Sequence, residues 1–291
     1  MEKSNNNLVL GIICILLASL GFGTHGVFVR LAGDLPLFEK TLFRNLVTFF
    51  IALPIFLKNK NKIDVPLLKA NTIPLLVRAI GGTLGIFCNY YALTKLNIAD
   101  ATMLNKMSPF FALIFSVFIL KEKPNYKQLI LIIIAFIGAL FVIKPTASNV
   151  LLFPSLIGLI GGIGAGLAYT CIRYLSKNKV DTTFIVLFFS IFSIIVNLPL
   201  ALKNFKPMSL SQLIFMLLAG VFASLGQFGV TYAYKAAPAK EISVYDYSQV
   251  IFSAIMGYLV FKQMIDGYSL LGYLIIISSE ILMFFINKKK I

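Results

Sequence analysis

Residues 84–121 lie over residues 225–262 without a gap, at a constant offset of 141. Leu84-Gly85-x-Phe87 matches Leu225-Gly226-x-Phe228, and Tyr91-Ala92 matches Tyr232-Ala233. Phe111, Ile114 and Lys121 recur as Phe252, Ile255 and Lys262. Polar positions correspond in character: Asp100 with Glu241, Thr102 with Ser243, Asn105 with Asp246. Pro54 and Pro199 close equivalent segments outside that block. A chain that copies itself this way is built from two related units, 1–145 and 150–291. They divide at the polar turn Lys144-Pro145-Thr146-Ala147-Ser148-Asn149, which a proline interrupts.

Each unit carries five apolar runs: roughly 8–30, 37–57, 72–94, 99–120 and 125–144, then 150–173, 182–202, 209–234, 240–261 and 267–287. In a chain that is 59% hydrophobic, runs of about 18 or more residues read as membrane spans. The connections are short, so no soluble catalytic domain is expected. The first run is too long for a signal-peptide core and lacks a small-residue cleavage site, so it is read as a mature helix. Five is odd, so the second unit enters the bilayer from the opposite side. Such an inverted pair builds a midplane site that opens to either side in turn. The predicted fold is an all-α integral membrane protein of ten transmembrane helices in two inverted five-helix repeats.

The net charge of +15 invites a nucleic-acid reading, and its distribution removes it. With the N-terminus inside, sixteen of the 26 Lys and Arg residues fall on the inner side and seven on the outer side. Arg44, Arg78 and Lys106 lie within spans. This bias predicts both termini in the cytoplasm of a plasma (inner) membrane protein, surrounded by lipid and without a nucleic-acid partner. Cys14, Cys88 and Cys171 all fall inside spans, with no C-x-x-C spacing and no disulfide framework. No metal and no cofactor is expected.

Ionisable groups inside a bilayer are costly and face the bundle interior, so each is a site candidate. In the fourth span Thr102, Asn105, Pro109, Ala112 and Ser116 share one helical stripe; Ser243, Asp246, Val250, Ser253 and Gly257 are their repeat mates, with Gln249 beside them. Pro109 cannot donate to the carbonyl of Asn105, which is freed beside Lys106. Lys106 and Asp246 each lie about 10 Å deep, from opposite surfaces. They either flank one ligand or form a salt bridge that closes one state and parts in another. Arg78, Gly82, Gly85 and Asn89 form a stripe on the third span, with Tyr90 adjacent; Gln227, Thr231 and Tyr234 form one on the eighth. Tyr169 on the sixth span, with Tyr90 and Tyr245, supplies rings with hydroxyls for a polar solute. His25, the single histidine, is a proton-coupling candidate. Arg44 with Asn45, early in the second span, is read as a bundle-holding or carbonyl-capping group. Glu280 is read as an interhelical or subunit contact, and Glu122 as a cap. Gly158, Gly162 and Gly166, with Gly161 and Gly164, let the sixth span approach its neighbours closely.

Two five-span repeats, Phe43-Arg44 early in the second span and Leu120-Lys121-Glu122-Lys123 ending the fourth resemble the EamA family of the drug/metabolite transporter superfamily. The resemblance covers nearly the whole chain. It implies a central cavity lined by spans one, three, four, six, eight and nine, and peripheral fifth and tenth spans that often mediate contact in a homodimer. It also implies a transported small molecule, without naming it.

The function expected is secondary transport of a small polar metabolite by alternating access, through exchange or ion coupling. An amino acid, a related carboxylate or another zwitterion or organic anion fits Lys106, Asp246 and Arg78 best. A nucleotide-linked or larger metabolite is the alternative. An intramembrane lipid-modifying enzyme would need a nucleophile, metal or carboxylate pair that the sequence lacks, so no enzyme activity is expected. No G-x-x-x-x-G-K-[ST] loop supports ATP-driven transport.

Overall fold

A computed structural model of the chain describes residues 2–58, 65–121, 125–145, 150–237 and 239–288. Glu122 and residues 146–149 of the dividing turn lie outside them. The described residues form thirteen helices: α1 (Glu2–Leu31), α2 (Leu37–Lys58), α3 (Val65–Ala70), α4 (Thr72–Lys95), α5 (Ile98–Asn105), α6 (Ser108–Ile119), α7 (Tyr126–Ile143), α8 (Leu152–Lys177), α9 (Thr182–Lys203), α10 (Leu210–Ala236), α11 (Ala239–Asp246), α12 (Ser248–Phe261) and α13 (Gly267–Lys288). Ten spans are long and apolar enough to cross a membrane, from Leu8–Leu31 to Gly267–Ile286. The fourth is α5 with α6, and α11 with α12 occupies the place of the ninth. Backbone groups have no water to bond in hydrocarbon, so each span satisfies its own as a helix.

The packing carries the symmetry that the sequence repeat implies. The main pairings are the first span on the eighth (α1 on α10) and the third on the sixth (α4 on α8). The second packs on the seventh (α2 on α9) and the fifth on the tenth (α7 on α13), and the fourth on the sixth (α6 on α8) mirrors the first on the ninth (α1 on α12). Exchanging the two repeats leaves that set unchanged. Every one of these pairings joins one repeat to the other, so the two units interleave.

Glycine makes the close crossings in both symmetry-related pairs. A Cβ on Gly164 would sit 2.6 Å from the Gly81 carbonyl, and one on Gly85 would lie 3.1 Å from the Ala165 amide. In the mate crossing, a Cβ on Gly21 would meet the Phe222 carbonyl at 2.7 Å, and one on Gly229 the Cys14 carbonyl at 2.8 Å. With no hydrophobic drive between helices in lipid, such backbone contact supplies the van der Waals attraction that holds them. Between the second, seventh and eighth spans the contacts are polar. Thr41 Oγ1 donates to Asn197 Oδ1 at 2.5 Å, Asn45 Nδ2 donates to Ser193 Oγ at 2.8 Å, and Thr48 shares a 2.9 Å bond with Ser224. Glu280 is buried within the chain, on α13, a helix that packs on α7 and α11. Large apolar side chains such as Ile73, Phe118 and Ile195 face outward, as a lipid-exposed surface requires.

Candidate functional site

Two broken helices meet at the centre. The fourth span stops at Asn105 and restarts at Ser108, where Pro109 fits the first turn of the new helix because its missing N–H would be unpaired there anyway. The ninth span breaks at the equivalent point, between Asp246 and Ser248, although Val250 stands where the first repeat has proline. Phe110 N–H turns to the Met107 carbonyl at 3.1 Å, and the Lys106 carbonyl accepts from Tyr247 Oη at 2.7 Å instead. Lys106 and Tyr247 are 141 residues apart, so repeat mates touch one another, which places them on the pseudo-twofold axis. Asn105 and Leu104 turn their carbonyls toward Gly162, where a Cβ would lie 3.3 and 2.8 Å from them. Irregular backbone at this depth is tolerated because it is enclosed in protein.

Lys106 and Asp246 join at this break. Lys106 Nζ lies 2.6 Å from Asp246 Oδ2, and both side chains are almost wholly buried. Ser19 Oγ donates to Asp246 Oδ1 at 3.3 Å and to the Asp246 carbonyl at 3.2 Å. Of the two arrangements their depth allowed, the salt bridge is the one that forms here. Thr102 Oγ1 also crosses the axis, donating to Ser253 Oγ at 3.0 Å.

Beside the axis lies a cavity of about 80 Å³. Its wall holds His25 from α1, Arg78, Asn89 and Tyr90 from α4, Asn105 from α5, Tyr169 from α8, Gln227 from α10 and Gln249 from α12. Three residues singled out from the sequence lie off the wall. Lys106 and Asp246 are occupied with one another, and Tyr245 packs against an apolar cluster that includes Ile15, Val230 and Ile242. The wall also takes in Arg44 from α2 and Phe189 from α9, so the second and seventh spans contribute where the family resemblance implied six others. Arg44 is therefore a cavity residue, and among the described residues it donates to a side chain rather than a carbonyl: its Nη1 bonds Asn45 Oδ1 at 3.0 Å. The signal for it was available as Thr41, Arg44, Asn45 and Thr48, a polar stripe on one face of the second span. Phe189 gave none, because one phenylalanine among many apolar residues has no distinguishing neighbour.

The two arginines share that ring. Arg78 Cζ lies 3.9 Å from the Phe189 centroid and Arg44 Cζ lies 5.7 Å from it. A desolvated guanidinium on an aromatic face gains on the order of 2 kcal/mol, which holds the group without neutralising it. Arg78 Nε and Nη1 are buried without a hydrogen-bond partner. Among the described residues no carboxylate pairs with either arginine; Asp246 pairs with Lys106 and Asp266 with Lys144. Gly82 makes the posture of Arg78 available. A Cβ there would fall on Arg78 Nη1 and 3.0 Å from the Phe189 ring. His25 Nδ1 lies 3.2 Å from the Phe22 carbonyl, which can only accept, so Nδ1 carries the proton. Nε2 faces the Tyr90 hydroxyl at 3.0 Å, accepting from it in the neutral imidazole and donating to it in the imidazolium, so the ring is held in one orientation on the wall. No group of three or more His, Cys, Asp or Glu residues with metal-ligand geometry occurs among the described residues.

The EamA-like transporter family matches this chain twice, over residues 9–144 and 152–285. The chain is 30% identical over 269 residues to the pseudopaline exporter CntI of Pseudomonas aeruginosa, covering 92% of this chain and 93% of that protein. It is 24% identical to the S-adenosylmethionine uptake transporter of Rickettsia felis, over 99% of this chain and 97% of the relative. An uncharacterized transporter of Helicobacter pylori is 26% identical over 95% of each chain. A solved crystal structure superposes with a TM-score of 0.67 over 96% of this chain and 98% of its own, at 15% identity, which shows a shared fold. With ten spans in an interleaved pair of repeats, a polar cavity at their centre and the family matched in each half, this chain belongs to the EamA-like transporter family and is a multi-pass membrane transporter of a small metabolite, not an enzyme.

Proposed function

We propose that the protein is a secondary transporter of a small carboxylate-bearing metabolite, which it carries by alternating access between the two faces of the plasma membrane. Both termini lie in the cytoplasm in this reading, which the inward bias of Lys and Arg supports. The observation that carries the substrate class is Arg78: a guanidinium 2% exposed, on the wall of a central cavity, with two nitrogens unpartnered and no carboxylate beside it. A planar guanidinium fork matches a carboxylate with two parallel hydrogen bonds. S-adenosylmethionine, named for the rickettsial relatives, carries a free α-carboxylate of that kind.

Lys106 and Asp246 act as the closure. Their ion pair ties the two broken helices at the axis, and parting it lets one repeat move against the other. The glycine crossings supply surfaces smooth enough to slide. Asn89, Asn105, Gln227 and Gln249 orient the remainder of the solute, and Tyr169 gives it an aromatic face. His25 is the proton-coupling group, since a proton can enter only at Nε2, by displacing the Tyr90 hydroxyl hydrogen. Uptake and counterflow in proteoliposomes, with a panel of labelled amino acids, carboxylates and nucleotides, test this reading. Flux of a carboxylate that Arg78→Gln abolishes is expected; normal flux in that variant removes Arg78 from the site. A pH jump on the same vesicles, with and without His25→Gln, reads the coupling: a proton-driven component lost in the variant is expected.

A further inference from the structure

The charge count of the cavity narrows the substrate further, resting on the reading that the arginines hold its anionic group. Two charged side chains line the wall, Arg44 and Arg78, and both are cationic. A guanidinium does not lose its proton in a protein, so both charges stay. His25 adds none while its Nε2 accepts from the Tyr90 hydroxyl. Asp246, the buried carboxylate at the axis, is already matched by Lys106 at 2.6 Å. The cavity therefore holds two positive charges, each within reach of one Phe189 ring and neither paired with a carboxylate of the described chain. Buried charge without counter-charge is among the most costly arrangements in a low-dielectric interior, and it persists at functional positions where a ligand completes it.

We infer that the transported ligand is a compact dianion whose two negative charges are matched by Arg44 and Arg78. A neutral amino acid brings one carboxylate and one ammonium, which leaves the cavity at its original charge and sets a third cation beside the two guanidiniums. A monocarboxylate satisfies one arginine and strands the other. A dianion removes both charges, and size selects a short one. The cavity offers only about 80 Å³, room for a few waters, so the ligand is among the smallest dianions. A phosphomonoester of similar size carries the same charge on one centre.

The test uses the purified full chain in detergent and four probes, with affinity read by calorimetry at pH 8. Succinate is the dicarboxylate, and succinamate its near-isosteric half-amide with one charge fewer. 4-Aminobutyrate is the zwitterion, and methyl phosphate places both charges on one centre. Succinate is expected to bind at least about tenfold more tightly than succinamate, the weight of one charge-assisted hydrogen bond, with 4-aminobutyrate weaker than both. Methyl phosphate binding more tightly than succinate places the two charges on a single centre; weaker binding places them on two. Both results keep the dianion. Arg44→Gln is expected to bring the succinate-to-succinamate ratio within about threefold, and Arg44→Lys to retain most of it. Succinamate or 4-aminobutyrate binding wild-type protein as tightly as succinate overturns the inference while leaving a carboxylate transporter standing. Failure of every carboxylate to bind overturns both. The decisive comparison is made on wild-type protein, so a variant that fails to fold does not rescue the idea.

Discussion

At the scale of single residues, Arg78 and Gly82 form one device. The guanidinium lies over Phe189 only because the residue one turn along offers no Cβ. Gly82→Ala is therefore expected to displace the guanidinium and weaken substrate binding by about tenfold or more, since a charge-assisted hydrogen bond is worth about 1.5–3 kcal/mol. The helix itself should not suffer, because alanine is the better helix former. Equal affinity in Gly82→Ala and wild type, measured by calorimetry, would show that the observed posture is not the one that binds. Lys106 behaves differently. Lys106→Met leaves Asp246 buried and unpaired, at a cost of about 3–5 kcal/mol, whereas Lys106→Met with Asp246→Leu replaces the pair by apolar packing and should recover most of that stability. Thermal unfolding in detergent reads both. A double variant that is stable and still transports would mean the ion pair is not needed as the closure. Lys106 and Asp246 also show where sequence reasoning runs out. Residue spacing gave their depth and a shortlist of two arrangements, but depth carries no azimuth, so which side chains met was not legible.

At the scale of helices, the ten spans were legible because hydropathy over about 20 residues is a strong signal in a lipid-exposed fold. The spans begin and end within a few residues of the apolar runs. The break in the fourth span was legible at Pro109, and the one in the ninth was not, because Val250 occupies that position. There the interruption is carried by tertiary bonds: the Lys106–Asp246 pair and the hydroxyl of Tyr247. The fifth and tenth spans are tied at their ends by Lys144 and Asp266, 2.5 Å apart, and by Gly138 against Gly272, where an added Cβ would meet backbone at 2.6–3.1 Å. Asp266 also caps α13, accepting from Ser269 N–H at 3.1 Å and Ser269 Oγ at 2.9 Å. Partial burial works against its charge, but the bonds from Lys144 and Ser269 outweigh it and hold the carboxyl down at about 2. Its contribution is then present above the ordinary carboxylate range and is lost as pH falls through about 2. Asp266→Asn is expected to destabilise the protein at pH 7 by no more than about 1 kcal/mol, the pair being partly exposed, and the two proteins should converge below pH 2. A gap between their unfolding curves that is unchanged by acid would place the cost elsewhere.

At the scale of the whole molecule, function comes from the way two copies interleave. The sequence repeat made the inverted architecture legible, and its best-matched block contains both helix breaks. What it did not convey is that the principal contacts all cross between copies, so that neither half has a core of its own. Residues 1–145 or 150–291 expressed alone should therefore be degraded, and the two co-expressed should assemble into a particle the size of the intact chain. A stable, monodisperse single half, by size exclusion of detergent extracts, would contradict the interleaving. The cavity was legible in part, since eight of its wall residues were site candidates in the sequence. Phe189 was not, and the polar stripe that holds Arg44 did not convey that it faces a cavity, because the contribution of spans two and seven depends on how the copies pack.

The most direct measurement is counterflow in proteoliposomes loaded with unlabelled succinate and presented with a trace of labelled succinate outside. Transient accumulation of label above equilibrium, present in wild-type vesicles and lost in Arg78→Gln vesicles of equal protein content, is the predicted result. Counterflow of equal size in both would contradict the assignment of the arginine-lined cavity as the transport site.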